Sequence, residues 1–322
     1  MKALITGASS GIGMEIAKIL AKHKCELILV ARSKEKLEEL QKKLPTKSTI
    51  IVMDLSNEQK VKELYIVTRN QNIDIVINNA GFGLCGDYEK IPISKELELI
   101  DTNIRALHIL TKSFLRDMIE RDSGYILNVS SSASFLPGGP LMTTYYASKS
   151  YVSSLTNGIY YELKKRKSNV SISLLCPGPV NTNFNNVANV EFGVKALDPE
   201  FVAKYAIDEM FKKKRLIIPG FKMKFVKFIS RFVSDEFFYD EGIVILNEKI
   251  DFLFDTVKEE ILFVLDNINI SDEKKKERYN FIIKLLNLTK YEKLNPNELN
   301  RNIKIKVLLA IAVIHKPHVL FI

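Results

Sequence analysis

The sequence contains few of the residues that build metal sites and disulfide frameworks. Its 322 residues include three cysteines, four histidines and no tryptophan. The cysteines form no Cys-x-x-Cys pair, and the histidines lack ligand-like spacing with cysteines or carboxylates, so we expect neither a disulfide scaffold nor a metal site. Each cysteine stands in an apolar stretch. We therefore predict three buried, reduced thiols, at Cys25, Cys85 and Cys176.

Long apolar runs and a leader segment are also missing. No apolar run approaches the roughly 18–20 residues that span a bilayer. The pattern of a buried strand begins at Lys2, which leaves no room for a signal peptide. These two features predict a cytoplasmic protein.

The net charge of +9 is not concentrated in one groove. The basic segments 201–231 and 271–322 flank an acidic segment at 232–270. No RNA-binding or helix-turn-helix signature accompanies the basic segments, so we expect no nucleic-acid partner.

What the sequence does contain is a repeated alternation of apolar strand and amphipathic helix. This order predicts an α/β fold, a Rossmann-type doubly wound parallel sheet. The alternation stops after a last strand in Arg215–Gly220, so we divide the chain into a nucleotide-binding domain at 1–234 and a helical C-terminal extension of unknown role at 235–322. The other predicted strands are Lys2–Thr6, Glu26–Ala31, Thr49–Met53, Ile73–Asn78, Tyr125–Val129 and Val170–Cys176.

A glycine-rich turn follows the first strand and leads directly into a helix. Gly7 allows the tight turn, Gly11 lets the backbone approach a pyrophosphate, and Gly13 lets the helix lie close to the sheet. The free N–H groups at the start of such a helix bind anions. The segment predicts a dinucleotide site.

Tyr145 and Lys149 are four residues apart in a helical pattern, which places both side chains on one face of the helix. A neighbouring ammonium favours a phenolate and lowers the tyrosine pKa. This spacing is common on helices, so its meaning depends on the other motifs. Tyr146 is adjacent but lacks the same relation to Lys149.

Six motifs in order resemble the short-chain dehydrogenase/reductase superfamily. They are TGASSGIG at 6–13, Asn78-Asn79-Ala80-Gly81, Asn103, Ser131, Tyr145 with Lys149, and the segment 177–182. The resemblance implies hydride transfer between a nicotinamide cofactor and a small carbonyl or alcohol substrate.

The resemblance also implies the roles of individual residues. The implied catalytic residues are Asn103, Ser131, Tyr145 and Lys149, although Ser132 matches the family's usual spacing to Tyr145 better and Ser130 is adjacent. Asp54 takes the position that contacts the adenine amino group. The implied cofactor-binding residues are Gly7, Ser9, Ser10, Gly11, Ile12, Gly13, Arg32, Asp54, Leu55, Asn79, Ala80, Gly81, Tyr145, Lys149, Pro177, Gly178, Val180 and Thr182.

The end of the second strand indicates which nicotinamide cofactor is used. NAD-preferring relatives carry an acidic residue there for the ribose hydroxyls. Here the strand ends at Arg32, whose guanidinium suits a 2′-phosphate. We therefore favour NADP(H), with NAD(H) as the alternative.

Two loops after strands, Phe82–Tyr88 and Asn183–Ala196, are expected to form the substrate site. They are rich in apolar side chains and carry no arginine cluster, which favours a lipophilic carbonyl compound. The resemblance further implies a homo-oligomer, with a homodimer as the plainest form. The apolar candidates are Leu84, Phe184, Val187, Val190 and Phe192.

The chain after residue 220 does not follow the family pattern. Phe221–Val233 predicts a basic amphipathic helix, either a lid over the substrate site or a peripheral membrane contact. The membrane reading leads to an alternative function, a nucleotide-binding regulatory or scaffold protein with an incidental reductase site.

The tail Asn280–Ile322 resembles a truncated ATP-binding-cassette ATPase segment. It reads Asn300-Arg301-Asn302 where that family has Ser-Gly-Gly, and no phosphate loop GxxxxGK[ST] occurs in the chain, so we do not predict ATP hydrolysis. Its apolar stretches Val307–Ile314 and Val319–Ile322 are expected to be buried.

Overall fold

The chain divides into two compact units, Met1–Lys224 and Phe225–Ile322. The boundary at 234/235 stays a prediction. Most of the predicted helix 221–233 lies outside the described residues, as do Val187, Val190 and Phe192. The computed structural model describes residues 1–136, 138–184, 196–220, 223, 224, 226, 227, 230, 252, 254–266 and 271–314.

A seven-stranded parallel sheet forms the centre of the first unit, with the strand order β3-β2-β1-β4-β5-β6-β7. The order reverses direction between β1 and β4, which is the point where doubly wound sheets bind their ligands. The predicted fold class is confirmed. The strands are β1 Lys2–Thr6, β2 Glu26–Ala31, β3 Ser48–Val52, β4 Ile75–Asn78, β5 Tyr125–Val129, β6 Ser171–Leu175 and β7 Leu216–Ile217.

Helices cover both faces of this sheet. The first, second and seventh helices pack on one face, and the third, fifth and sixth pack on the other. They are α1 Gly11–Lys22, α2 Lys34–Lys43, α3 Glu58–Thr68, α4 Ile93–Ile100, α5 Leu107–Glu120, α6 Thr143–Lys165 and α7 Pro199–Phe211.

Strand β1 illustrates why the strands are apolar throughout. Ala3 and Ile5 point into the core shared with α1, while Leu4 points into the core shared with α3 and α5. All three side chains are fully buried. Because both faces of a parallel sheet are covered, no alternation with polar residues develops.

The apolar spacing of Asp101–Arg121 predicts one regular helix, and the structure differs from it. The helix begins earlier, as α4, and passes through a π turn at Asp101–Ala106 before it continues as α5. Apolar spacing continues through the turn, so the sequence pattern suggested one regular helix. Turns of this kind are frequent at functional sites.

Among its described residues, the second unit has three further α-helices around an apolar core of its own. Val307, Ala310 and Ile314 are buried in it, as predicted for that stretch, whereas Val319–Ile322 lies outside the described residues. Asn300, in the segment that departs from the ATPase pattern, caps the last helix by accepting a hydrogen bond from the Ile303 N–H at 3.2 Å. The helices are α8 Val257–Asp266, α9 Asp272–Leu285 and α10 Arg301–Val313.

Within the ranges described, each helix is too short or too polar to cross a bilayer.

Candidate active site

The predicted site residues converge on one cavity of about 430 Å³ in the first unit, beyond the carboxyl ends of the strands. Parallel strands bring their carboxyl ends to one edge of the sheet, so motifs far apart in sequence meet there. The predicted residues that line it are Gly7, Ser9, Ser10, Gly11, Ile12, Arg32, Asp54, Leu55, Asn79, Ala80, Gly81, Ser131, Tyr145, Lys149, Pro177, Gly178, Val180 and Thr182.

Gly13 and Asn103 are the two predicted residues that lie behind the cavity wall. A Cβ on Gly13 would lie 2.4 Å from the Gly7 carbonyl oxygen, so only glycine lets the helix pack this closely against the turn. Gly7 itself has φ +64°, and a Cβ there would lie 2.9 Å from the Ala80 Cα. Both glycines shape a backbone cradle that a side chain would fill.

The start of α1 is left open toward this cradle. Its N-cap residue, Ser10, makes no side-chain cap hydrogen bond, and its first turn carries no acidic residue. By contrast, the side chains of Ser33 and Asn57 cap α2 and α3. Free N–H groups and the positive end of the helix dipole suit a pyrophosphate, so these residues fit a dinucleotide.

The end of the cavity next to β2 carries positive charge. Arg32, directly after β2, and Lys36, in the first turn of α2, line it. The Arg32 side chain is 64% exposed and lies 3.4 Å from the Glu98 carboxylate, which makes a loose ion pair. Asp54 also lines this end, and one of its oxygens accepts hydrogen bonds from the Ser56 N–H and hydroxyl.

Tyr145 is buried at the opposite end of the cavity. Burial raises the pKa of its phenol to about 12, and a hydrogen bond with Ser131 opposes part of that rise. We expected the ammonium of Lys149 to lower this pKa, but in the structure burial dominates and the net shift is upward. The free energy lost when a phenolate is removed from water exceeds the stabilisation that the neighbouring groups provide. The hydroxyl therefore stays protonated at neutral pH.

Lys149 shares this buried environment. Its ammonium donates a hydrogen bond to the Val129 carbonyl at 3.1 Å and lies 5.7 Å from the centre of the Tyr145 ring. Burial lowers the lysine pKa to about 8, although the nearby Cys176 opposes the shift. The lysine therefore changes its charge close to physiological pH.

The three consecutive serines occupy different positions. The Ser130 hydroxyl is buried and donates a hydrogen bond to the Lys149 carbonyl at 2.9 Å. Ser132 begins a short 3-10 helix, Ser132–Phe135. All three serines line the cavity, but only Ser131 has a side-chain hydrogen bond with Tyr145, so this contact favours it over its neighbours.

Asn103 holds the wall of the site from the π turn. Its amide exchanges two hydrogen bonds with the backbone of Phe82, at 2.9 and 3.0 Å, and donates a third to the Ser148 hydroxyl at 3.1 Å. The side chain is buried and connects the loop after β4 with the helix that carries Tyr145 and Lys149.

Aromatic and apolar side chains surround the Tyr145 ring. Phe184 lies 5.4 Å from it and Tyr146 lies 6.3 Å from it, centre to centre. Phe82, Phe184 and Met142 line the cavity here, whereas Leu84 belongs to the apolar cluster beside them.

Comparisons with known proteins agree with this geometry. The family model of short chain dehydrogenases matches residues 1–191. The chain belongs to the short-chain dehydrogenase family. An uncharacterised oxidoreductase of Staphylococcus saprophyticus is 32% identical over 212 residues, 64% of this chain and 88% of the relative.

Two solved structures extend the comparison. The enzyme of Sphingobium yanoikuyae, in complex with NADPH, has a TM-score of 0.64 at 26% identity and covers 68% of this chain and 88% of its own. The bulky-bulky ketone specific alcohol dehydrogenase of Comamonas testosteroni has a TM-score of 0.60 at 27% identity, covering 68% and 85%.

This short-chain dehydrogenase is thus an oxidoreductase of CH–OH and C=O groups that uses a nicotinamide cofactor. Members of the family act on small molecules and typically form oligomers.

Sequence reasoning missed Lys36, Met142 and the wall position of Tyr146, all of which line the cavity. Lys36 had a usable signal, because it is a second cation only four residues after Arg32, in the first turn of α2. Met142 and Tyr146 had none, since their position depends on how the loop before α6 packs.

Proposed function

We propose that this short-chain dehydrogenase is an NADP(H)-dependent reductase of small apolar carbonyl compounds. One observation carries the proposal: a buried, protonated Tyr145 with Ser131 and Lys149 shares a cavity with the cationic pair Arg32 and Lys36. Reduction of a carbonyl group requires a proton donor, which lies at one end of the cavity. Cations at the other end favour the binding of a 2′-phosphate.

The donor set supports NADP(H) over NAD(H). Among the described lining residues at the β2 end, Arg32 and Lys36 are the two cations and Asp54 is the one carboxylate. The Oδ1 atom of Asp54 already accepts a hydrogen bond from the Ser56 N–H. A guanidinium and an ammonium recognise a phosphate by charge-assisted hydrogen bonds. A relative that resembles the chain over 68% of its length is in complex with NADPH.

The nicotinamide cofactor supplies the hydride when it is bound. Tyr145 would donate its phenolic proton to the carbonyl oxygen of the substrate as the alcohol forms, and Ser131 would donate a hydrogen bond to the same oxygen. The ammonium of Lys149 stabilises the negative charge that the departing proton leaves on the phenol. Asn103 fixes the wall behind both residues.

The walls around Tyr145 support an apolar substrate. Phe82, Met142, Tyr146 and Phe184 present aromatic and apolar surface beside the reacting hydroxyl. Among the described residues that line this end, Lys149 is the one cation, and it is committed to the Val129 carbonyl. The similar alcohol dehydrogenase is specific for bulky-bulky ketones, which supports a ketone as the carbonyl substrate.

Several expectations stay predictions. The homodimer and the cytoplasmic location are among them. The alternative of a regulatory or scaffold protein at a membrane depended on 221–233, most of which lies outside the described residues, and no observation in the described ones favours it.

A cofactor and substrate screen tests the proposal. We expect purified enzyme to oxidise NADPH faster than NADH, measured by loss of absorbance, with acetophenone, benzil or decanal as substrate. Pyruvate, which carries a carboxylate, serves as the matched polar substrate and should turn over far more slowly. Turnover of pyruvate alone, or a preference for NADH, would contradict the proposal.

A further inference from the structure

The helix that carries Tyr145 begins without a cap of its own. Its N-cap residue, Met142, makes no side-chain cap hydrogen bond, and the first turn of α6 contains no acidic residue. The first N–H groups of a helix have no partner within the helix and form the positive end of its dipole. A negatively charged group from another element is therefore favourable near the start of α6.

Glu96 of α4 places a carboxylate beside this first turn, in contact with a side chain rather than with the backbone N–H groups. Its carboxylate accepts a hydrogen bond from the Thr144 hydroxyl at 2.5 Å, and Thr144 is the second residue of α6. Glu96 is only 6% exposed, and no ion pair among the described residues includes it. A buried carboxylate is costly unless a hydrogen bond or a positive potential compensates it. Thr144 and the positive end of α6 provide that compensation.

The same face of α4 and the π turn contacts the helix on both sides of Tyr145. Leu99 belongs to the buried apolar cluster that contains the Tyr145 ring, and the Asn103 amide donates a hydrogen bond to Ser148. Glu96, Leu99 and Asn103 are spaced as one helical face, and Glu96 holds the residue directly before Tyr145.

We propose that Glu96 is a positioning residue for Tyr145. Through Thr144 it would fix the first turn of α6, and so the place of the phenolic hydroxyl relative to Ser131 and the substrate carbonyl. This inference rests on the proposed function, because it assigns Glu96 a role in positioning the proton donor relative to the substrate carbonyl.

Two substitutions remove the contact from opposite sides. Glu96→Leu removes the carboxylate at similar volume, and Thr144→Val removes the hydroxyl while keeping the shape. A small misplacement of a reacting group costs up to about 100-fold in rate. We expect each variant to reduce acetophenone with a kcat roughly 10- to 100-fold lower, while the KM and the Kd for NADPH stay within about twofold.

The conservative variants are the matched controls. Thr144→Ser keeps the hydroxyl and Glu96→Gln keeps an acceptor oxygen, so we expect both to retain most of the wild-type kcat. The double variant Glu96→Leu with Thr144→Val should lose no more than either single one, because both break the same contact. Leu163→Ala, buried at the far end of α6, should lower Tm without lowering kcat.

Three results would overturn the inference. The first is an unchanged kcat in Thr144→Val. This substitution changes the structure so little that we expect the variant to fold even if Glu96→Leu does not. The second is a rise in the Kd for NADPH that accounts for the whole loss, and the third is an equal kcat loss in Leu163→Ala. Wild-type enzyme inactive on every ketone would instead refute the proposed function, and this inference with it.

Discussion

The two ends of the cavity are built by opposite physical means. At the β2 end the Arg32 side chain is 64% exposed, paired loosely with Glu98, and its charge is solvated. At the reacting end Tyr145 and Lys149 are 8% and 5% exposed, and burial changes the pKa of both. Solvated charge selects a ligand weakly and is screened by salt, whereas burial decides which atoms carry protons.

This difference predicts that substitutions at the reacting end abolish chemistry, while those at the β2 end change preference. The glycine cradle lies between the two and should affect binding of the shared part of either cofactor. Four experiments, from the largest expected effect to the smallest, test this difference between the two ends of the cavity.

The largest effect is expected for Tyr145→Phe, which removes the proposed proton donor and little else. General acid catalysis contributes about 10²- to 10⁴-fold, so kcat for acetophenone should fall by that amount while NADPH binding persists. Initial rates and fluorescence titration of NADPH measure the two quantities. Tyr151→Phe, on the exposed face of the same helix, is the control and should remain active. Retained turnover in Tyr145→Phe would refute the role of its hydroxyl.

Gly13→Ala tests the cradle between the two ends. The new Cβ would overlap the Gly7 carbonyl oxygen, and overpacking of this kind costs about 1–3 kcal/mol of unfolding free energy. We expect a lower Tm and at least about tenfold weaker binding of NADPH and NADH alike. Gly158→Ala is the matched control, because nothing lies within 4 Å of its new Cβ. Equal binding by both variants would contradict the cradle.

The pH dependence tests the claim that burial controls Lys149. Its pKa is lowered to about 8, so the ammonium is present below that pH and is lost as the pH rises through it. The kcat for ketone reduction should therefore decline above about pH 8, by up to tenfold per unit. In Lys149→Arg the decline should move to higher pH, whereas Lys165→Arg at the far end of α6 should leave it in place. A profile of Lys149→Arg that matches wild type would assign the decline to another group.

The smallest effect is expected at the β2 end. Arg32→Asp replaces a solvated cation with a carboxylate, which repels a 2′-phosphate and suits ribose hydroxyls. Because the site is exposed, the ratio of kcat/KM for NADPH to that for NADH should fall by only about tenfold, and less at high salt. Lys34→Asp, an exposed neighbour that does not line the cavity, controls for net charge. An unchanged ratio in Arg32→Asp would exclude the phosphate contact.

Much of the fold followed from local patterns. Strands β1 and β2 occur at the predicted residues, because a strand buried on both faces is an uninterrupted apolar run. Where strands and helices differ, they differ mainly at their ends, and the π turn at Asp101–Ala106 leaves no mark in the apolar spacing.

The glycine turn and the placement of Tyr145 and Lys149 on one helix face could also be predicted from the sequence. Both are short-range features whose geometry depends on neighbouring residues. The choice among Ser130, Ser131 and Ser132 could not be predicted from the sequence. It depends on which hydroxyl contacts the side chain of Tyr145 on another element.

The sequence by itself therefore determined the sheet, the cradle and the residue types at the reacting centre, since each is encoded within a few residues of chain. Only the tertiary structure decided that the Tyr145 pKa rises rather than falls, and that Glu96 meets Thr144 from another helix. Burial and contacts between distant segments arise when the elements pack together, and no local pattern contains them.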